Sequence, residues 1–520
     1  MPSWTEEMRQ QIASVFPLSK VIETVASSLV PYPMLTLNRL ELSCNYDRPN
    51  LRKRRRKPTV PSPPTIEAPF TPGPSTSSIP LYPVSSRHNS LDSHQPLHPD
   101  FDRMVADEVL EIISNATDDM ESIIENYFNT VHRWLPILSK SMLKDRIRQL
   151  RALESPRAEV ACLVLCIYLV IQPYTKVTPG SNEHLSFLYS RAKCVHALVQ
   201  SSGPVSIELV QAALLLTVYE LGHGLLPSAY VSIGCSARLF SAMFLDLKGK
   251  GEAGDSTMLW IKEEEERRAR WGIIILDRFL NTSFGRELDS FATLSLTEDK
   301  YLPTQDSIWD AANESDSPPT ALPVSICSND KVGSFARQAQ AAHLLGRVLQ
   351  HVHEPTSNVE FNKEEGAQLE RTLHSLNKIL AIEIEDSETD LCGAIGMCNS
   401  ALLTLITADI EFDEAPCKKS ASIKTAVQYV MEHADYMKSH ESIVDPRVLT
   451  LLVPYSIYQA AILHIKILGF LKTDPRCHYW AGNLYILKTL LVGFGKTWKI
   501  SDEYLNRVQT AEATLLVGNS

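Results

Sequence analysis

The stretch "ASIKTAVQYVMEHADYMKSH" (421–440) places Ile423, Val427, Val430, Ala434 and Met437 at alternating steps of four and three. That spacing lines one face of a helix. "SIELVQAALLLTVYEL" (206–221) is apolar around most of its circumference, which predicts a central helix with Ser206 as its N-cap. Similar periodicity predicts helices near 119–132, 141–153, 158–172, 183–200, 226–246, 260–281, 331–352, 364–384, 390–409 and 479–497. Alternating strand patterns are scarce, and neither a repeated βα unit nor a fixed-period repeat is evident. The expectation is an all-α fold, one large irregular helical domain over 101–520.

The pattern fails before residue 101. Residues 58–100 include eleven of the chain's 31 prolines, as in "KPTVPSPPTIEAPFTPGPSTSSIPLYP". Proline removes backbone donors and the serine-rich remainder has little to bury, so a disordered linker is expected. Ahead of it, "SCNYDRPNLRKRRRKP" (43–58) concentrates Arg52, Lys53, Arg54, Arg55, Arg56 and Lys57 behind Cys44. Residues 1–43 hold neither cysteine nor histidine and form an atypical N-terminus.

The whole chain of 520 residues carries a formal charge of −11, so its general surface will not adhere to nucleic acid. Any DNA contact must be local. None of the ten cysteines forms a C-x-x-C pair. Cys162 and Cys166 stand i, i+4 inside "EVACLVLCIYLVI", where two thiolates alone make a poor zinc site and buried reduced thiols are expected. "VLTLLVPYSIYQAAILHIKILGFL" (448–471) is apolar enough to imitate a membrane span, but Pro454, Gln459, His464 and Lys466 interrupt it. A central lysine alone costs about 2.5–3.5 kcal/mol on insertion scales. A helix in a protein core is the expectation, with no membrane segment.

Catalytic patterns do not assemble. "LLVGFGKTW" (490–498) contains G-K-T but has Leu490 where a phosphate loop needs glycine. His223, between two glycines, reads as a turn residue between helices. His351 and His353 diverge by about 200° on a helix and cannot share a metal from it. G-x-S-x-G, H-E-x-x-H and a glycine-rich dinucleotide turn are missing. An enzyme is not expected. In "EEEERRARWGIIILDRF" (263–279), Glu263, Glu264 and Glu266 each precede an arginine by four. This predicts an amphipathic helix laced by i, i+4 ion pairs of about 0.2–0.5 kcal/mol each. Trp271, Ile274 and Ile275 turn inward, and Asp277 with Arg278 returns polarity near the buried end.

Four stretches in order resemble the large regulatory domain of fungal zinc-cluster transcription factors. "YFNTVHRWLPILSK" (127–140), with Trp134 and Pro136, is similar to that family's opening motif. "AALLLTVYELGHGLLPSAYVSIGCSARLF" (212–240), with Arg238, is similar to its central helical pair. "EEEERRARWGIIILDRFLNTSFGREL" (263–288) resembles its signature helix, with Trp271, Asp277 and Arg278. "YLPTQDSIWD" (301–310), with Trp309, resembles the short acidic loop that follows. The resemblance spans roughly 120–310 and becomes diffuse beyond.

The resemblance implies a nuclear transcription regulator that binds GC-rich, CGG-containing DNA, commonly as a homodimer, contacts the transcription machinery and controls metabolic or secondary-metabolite genes. It implies an N-terminal module in which six cysteines hold two zinc ions. Residues 44–57 look like the end of such a module, with Cys44 as its last cysteine and the basic run as its linker. That run is a candidate for nuclear import or DNA phosphate contact. Five cysteines are missing, and Cys44 alone cannot hold zinc, which needs four donors per ion. No cofactor is therefore expected in this form, and zinc only with the module restored. Two explanations stay open: replaced first exons in the gene model, which we expect, or real loss of the module. Under the second, the chain is a non-DNA-binding interaction protein that pairs with and modulates intact relatives.

Overall fold

The computed structural model describes residues 99–115, 119–152, 156–174, 181–247, 256–284, 291–293, 301–312, 318–326, 332–386, 391–412, 420–440, 448–470 and 477–517. Cys44, Arg52 to Lys57 and residues 58–98 of the proline-rich stretch lie outside them, whereas Pro99 and Asp100, expected in the linker, open the first helix. The described secondary structure is all-α apart from an isolated bridge between Tyr301 and Pro323.

The chain begins with α1 (Pro99–Ser114), α2 (Met120–Asn129) and a 3-10 turn over Val131–Arg133. There follow α3 (Lys140–Ala152), α4 (Ala158–Val170), α5 (Ser181–Ser202), α6 (Ile207–Gly222), α7 (Leu226–Leu247) and α8 (Ser256–Phe284). The short α9 (Asp306–Asp310) precedes α10 (Ser334–His353), α11 (Val359–Asp386) and α12 (Cys392–Phe412). The last four are α13 (Ser420–His440), α14 (Pro454–Phe470), α15 (Cys477–Phe494) and α16 (Ile500–Val517).

Two helices are buried on nearly all sides and organise the rest. In α4, every residue but Glu159 is buried, and Cys162 and Cys166 are free thiols inside it. Burial pushes the Cys166 thiol well above its usual range. In α6, Ser206 is the N-cap, its hydroxyl accepting from the Leu209 amide, and all residues from Glu208 to Gly222 are buried. Helices α4, α5, α7 and α8 pack around α6, and α8 also packs on α10. The α10–α12 pair leads on to α14, which gathers α15 and α16. The apolar run over 448–471 becomes α14, with Pro454 at the first helical position, where its missing N–H is not needed. No helix among the described residues is long and apolar enough to cross a membrane.

A tight turn joins α6 to α7. The Leu225 amide donates to the Glu220 carbonyl (2.8 Å) and the Gly224 amide to that of Leu221 (3.2 Å). This doubly closed helix end needs a left-handed residue, and Gly224 supplies it at φ 74°. His223 is the cap residue there. Its Nδ1 meets the Tyr219 carbonyl at 2.9 Å, and burial lowers its pKa to about 4.

Candidate functional site

On α8, Glu264, Glu265, Arg268, Asp277 and Arg278 face inward, while Glu263 and Arg270 stay exposed. Of the three i, i+4 pairs expected, Glu264–Arg268 forms, at 2.9 Å, with both side chains fully buried. Arg267 reaches Glu264 from three residues on, whereas no Glu263–Arg267 or Glu266–Arg270 pair forms among the described residues. The surface ladder is thus corrected to a buried network. Its physical reason is the chain that returns over α8 and the segment threaded beneath it.

Above α8 lies "YLPTQDSIWD". The Arg268 guanidinium donates to Asp306 Oδ1 (2.8 Å) and to the Thr304 carbonyl (2.6 Å), and the Trp309 ring covers it at 4.0 Å. Glu264 accepts from the Thr304 amide (2.8 Å) and hydroxyl (3.2 Å). The Trp271 indole donates to the Tyr301 carbonyl at 3.0 Å. Two turns of α8 therefore hold both backbone and side chains of this loop. Asp306 also accepts from the Ser334 hydroxyl (3.0 Å), tying the loop to the start of α10.

Beneath α8 runs the buried non-helical segment Trp134–Ser139. The carbonyls of Trp134, Pro136 and Ile137 lack helical partners, and a buried backbone group left unpaired is costly. Side chains from three helices supply the bonds. Gln338 donates to the Trp134 carbonyl (3.1 Å), Arg268 to that of Pro136 (3.2 Å) and Gln211 to that of Ile137 (2.8 Å). Glu265 accepts from the Ser139 amide at 3.0 Å. The same carboxylate receives both terminal nitrogens of Arg146, at 3.1 and 2.8 Å. Arg146 and Arg157 also pair with Glu208 on α6. Burial alone would raise the Glu208 pKa, but these two arginines outweigh it and hold the carboxyl below its usual range.

A second cluster lies further along α8. Asp277 accepts from Arg278 (2.7 Å), from the Ala292 and Thr293 amides (both 3.1 Å) and from the Thr293 hydroxyl (2.8 Å). The Arg278 guanidinium sits 3.8 Å from the Phe291 ring centre. A Cβ on Gly346 would come within 2.7 Å of Arg278 Nε, so α10 offers glycine where the arginine passes.

Pro136, Trp271 and Trp309 thus meet around Arg268, while Asp277 and Arg278 hold a separate segment. Trp134 is buried beside them, its ring edge-to-face with Trp498 at 6.3 Å. Arg238 is exposed on α7 and takes no part in either cluster. Sequence reasoning missed Arg146, Glu208, Glu265 and Gln338. A usable signal was present for Glu265: Ala269 and Gly272 follow it on one face, and small residues mark close packing. Gly272 lies against Ile137, Leu214 and Leu135. Chemically, the arrangement is a clamp: carboxylates and guanidiniums are occupied by each other and by loop backbone.

His132 completes the surroundings. It is buried, packs edge-to-face on Phe128 at 4.5 Å and stacks on Trp309 at 6.5 Å. Burial, with Arg268 and Lys140 nearby, lowers its pKa to about 3. It is neutral at ordinary pH, so its 4.0 Å approach to Asp310 is a polar contact and not an ion pair.

This helical core, with its looped clamp, coincides with a known family. The fungal specific transcription factor domain matches residues 124–401, more than half of the chain, and the chain belongs to that family. Transcription factor BOA15 of Botryotinia fuckeliana is 33% identical over 180 residues, which is 34% of this chain and 97% of that protein. The tropolone cluster transcription factor tropK of Talaromyces stipitatus is 24% identical over 233 residues, 44% of this chain, and the match spans 40% of tropK's own length. No solved structure matches the chain.

Proposed function

We propose that the chain is a nuclear transcription regulator, not an enzyme, whose helical region serves as its regulatory and interaction module. The observation that carries this reading is the family match over 124–401, which contains α8 and both segments clamped to it. The similarity to tropK, a tropolone cluster transcription factor, supports control of a secondary-metabolite gene cluster. In this reading the basic run from Arg52 to Lys57 serves nuclear import or touches DNA phosphates. Each phosphate contact would contribute about −0.9 to the salt slope, without base readout.

Reading of CGG-containing sites would require a zinc module. The residues in hand do not fit zinc, since Cys44 is the sole cysteine or histidine in residues 1–87. We therefore assign base readout to no residue of this chain. That isolation of Cys44 also favours a second reading, an interaction protein that pairs with intact relatives and modulates them.

A tethering experiment tests the proposal. The full chain fused to an unrelated DNA-binding domain should change transcription of a matched reporter several-fold, in either direction. Arg268→Leu should remove the effect. A stable nuclear fusion that leaves the reporter at the level of the DNA-binding domain alone would overturn the regulatory reading. Without the fusion, a shift in the output of an intact relative would select the second reading. Separately, Arg54, Arg55 and Arg56 replaced by alanine should reduce nuclear accumulation of a fluorescent fusion.

A further inference from the structure

Helices α2 and α3 run back along each other and touch at their ends. At one end Lys140 Nζ lies 5.4 Å from the centre of the Phe128 ring, and at the other Arg151 pairs with Glu121. Between these contacts a cleft of about 570 Å³ opens. That volume falls within the range of small-molecule sites. Its floor is apolar: Met120, Ile124, Phe128 and Ile147 line it, each nearly buried.

The walls carry charge unequally. On α3, Lys140, Lys144, Arg148 and Arg151 recur at steps of four, four and three along the cleft. Arg151 is engaged by Glu121 and Arg148 by Asp145 at 2.7 Å. Lys144 has no carboxylate partner among the described residues, and on the opposite wall Glu121 is taken up by Arg151, leaving Glu125. Lys140 is also the first residue of α3, where the helix N-terminus adds positive potential. An apolar floor beside two lysines one turn apart selects a molecule with an apolar body and one negative head.

We propose that the cleft between α2 and α3 binds a small amphipathic monocarboxylate, its carboxylate between Lys140 and Lys144 and its body along Ile124 and Ile147. The floor continues through Phe128 to His132, and from His132 to Trp309. An occupant would therefore touch Phe128, two ring contacts away from the loop that Arg268 holds. The site is independent of the transcriptional reading, and the binding assay below succeeds or fails without any reporter.

Isothermal titration of the full chain with dodecanoate, below its micellar concentration at pH 7.5, tests this. Saturable one-to-one binding is expected. Dodecanol should bind at least tenfold more weakly. Lys144→Glu should weaken dodecanoate at least tenfold while helical circular dichroism and melting temperature stay unchanged, because Lys144 is exposed. Ile124→Glu should abolish binding, and Tyr485→Ala, on the exposed face of α15, should leave it intact. Unsaturable heat, equal affinity for dodecanol, or undiminished affinity in the Lys144→Glu protein would each overturn the proposal.

Discussion

Helices α8 and α11 are nearly equal in length, at 29 and 28 residues, and both are rich in charge, yet they use it in opposite ways. Along α11, Leu369, Leu373, Leu376, Leu380 and Ile384 make a single buried stripe, and residues such as Lys363, Glu364 and Arg371 face solvent. On α8, Glu264, Glu265, Arg268, Asp277 and Arg278 are all buried among apolar neighbours. Most charge on α11 keeps one face wet; Glu383 and Glu365, bonded to Arg337 (2.9 Å) and His351 (2.8 Å) of α10, are the exceptions. Charge on α8 fixes where other segments go, and its value is geometric rather than a surplus of stability. A buried pair of this kind gains little over well-packed apolar residues, but breaking it strands its partners.

The sharpest way to break this contrast is to make the same substitution on each helix. Arg268→Leu strands Glu264 and Asp306 and should destabilise the protein by about 3–5 kcal/mol, read as a lower denaturant midpoint. A shift below about 1 kcal/mol would mean the clamp is not held by charge. Next in size is the seam against which Trp498 packs. A Cβ on Gly222 would fall 2.3 Å from the Trp498 ring, so Gly222→Ala should cost about 1–3 kcal/mol and alter tryptophan emission.

Third comes acid sensitivity. Burial depresses His132 to about 3 and His196, His223, His433 and His464 to about 4. Unfolded histidines gain protons from about pH 6.5 downward while the folded ones do not. The unfolded state then binds more protons, so each histidine lowers stability as pH falls from about 6.5 toward its folded pKa. The loss is about 1.4 kcal/mol per pH unit for each. His132→Phe should recover about that much at pH 5.5 relative to pH 7.5, measured as the difference in denaturant midpoints. An unchanged difference would mean His132 protonates in place. The smallest effect closes the comparison: Arg371→Leu on α11, where the exposed guanidinium donates to Gln368 at 2.7 Å, should stay within about 0.5 kcal/mol.

Helix existence was largely legible because most helices bury one stripe or are apolar throughout. The run expected over 226–246 is α7, Leu226–Leu247, and that over 364–384 is the middle of α11. The run expected over 119–132 divides at Thr130, whose non-helical backbone (φ −123°, ψ −94°) ends α2 before the 3-10 turn. Helices α1 and α16 were not anticipated. In α16 the fully buried positions are Ile500, Ser501, Tyr504 and Val508, too short a stripe to stand out from its polar residues. The clamp was the least legible part. Periodicity assigns charged residues to solvent by default, and nothing local to Glu264 or Arg268 announces partners such as Pro136 and Asp306, which lie far off in sequence.

Trp498, in the segment whose G-K-T resembled a phosphate loop, has a consequence for how this protein can be cut. Its indole donates to the Leu449 carbonyl at 2.7 Å, and its ring fills the space over Gly222 and meets Trp134 edge-on. Residue 498 lies almost a hundred positions beyond the end of the family match at 401. An expression fragment trimmed to that match would bare Gly222 and Trp134 and cut α12 midway along its length. Such a fragment should come out insoluble or bound to chaperones, whereas one carried through α16 should purify as a folded protein. The smallest portable piece of this chain is therefore set by a tryptophan outside the sequence signature that defines the family.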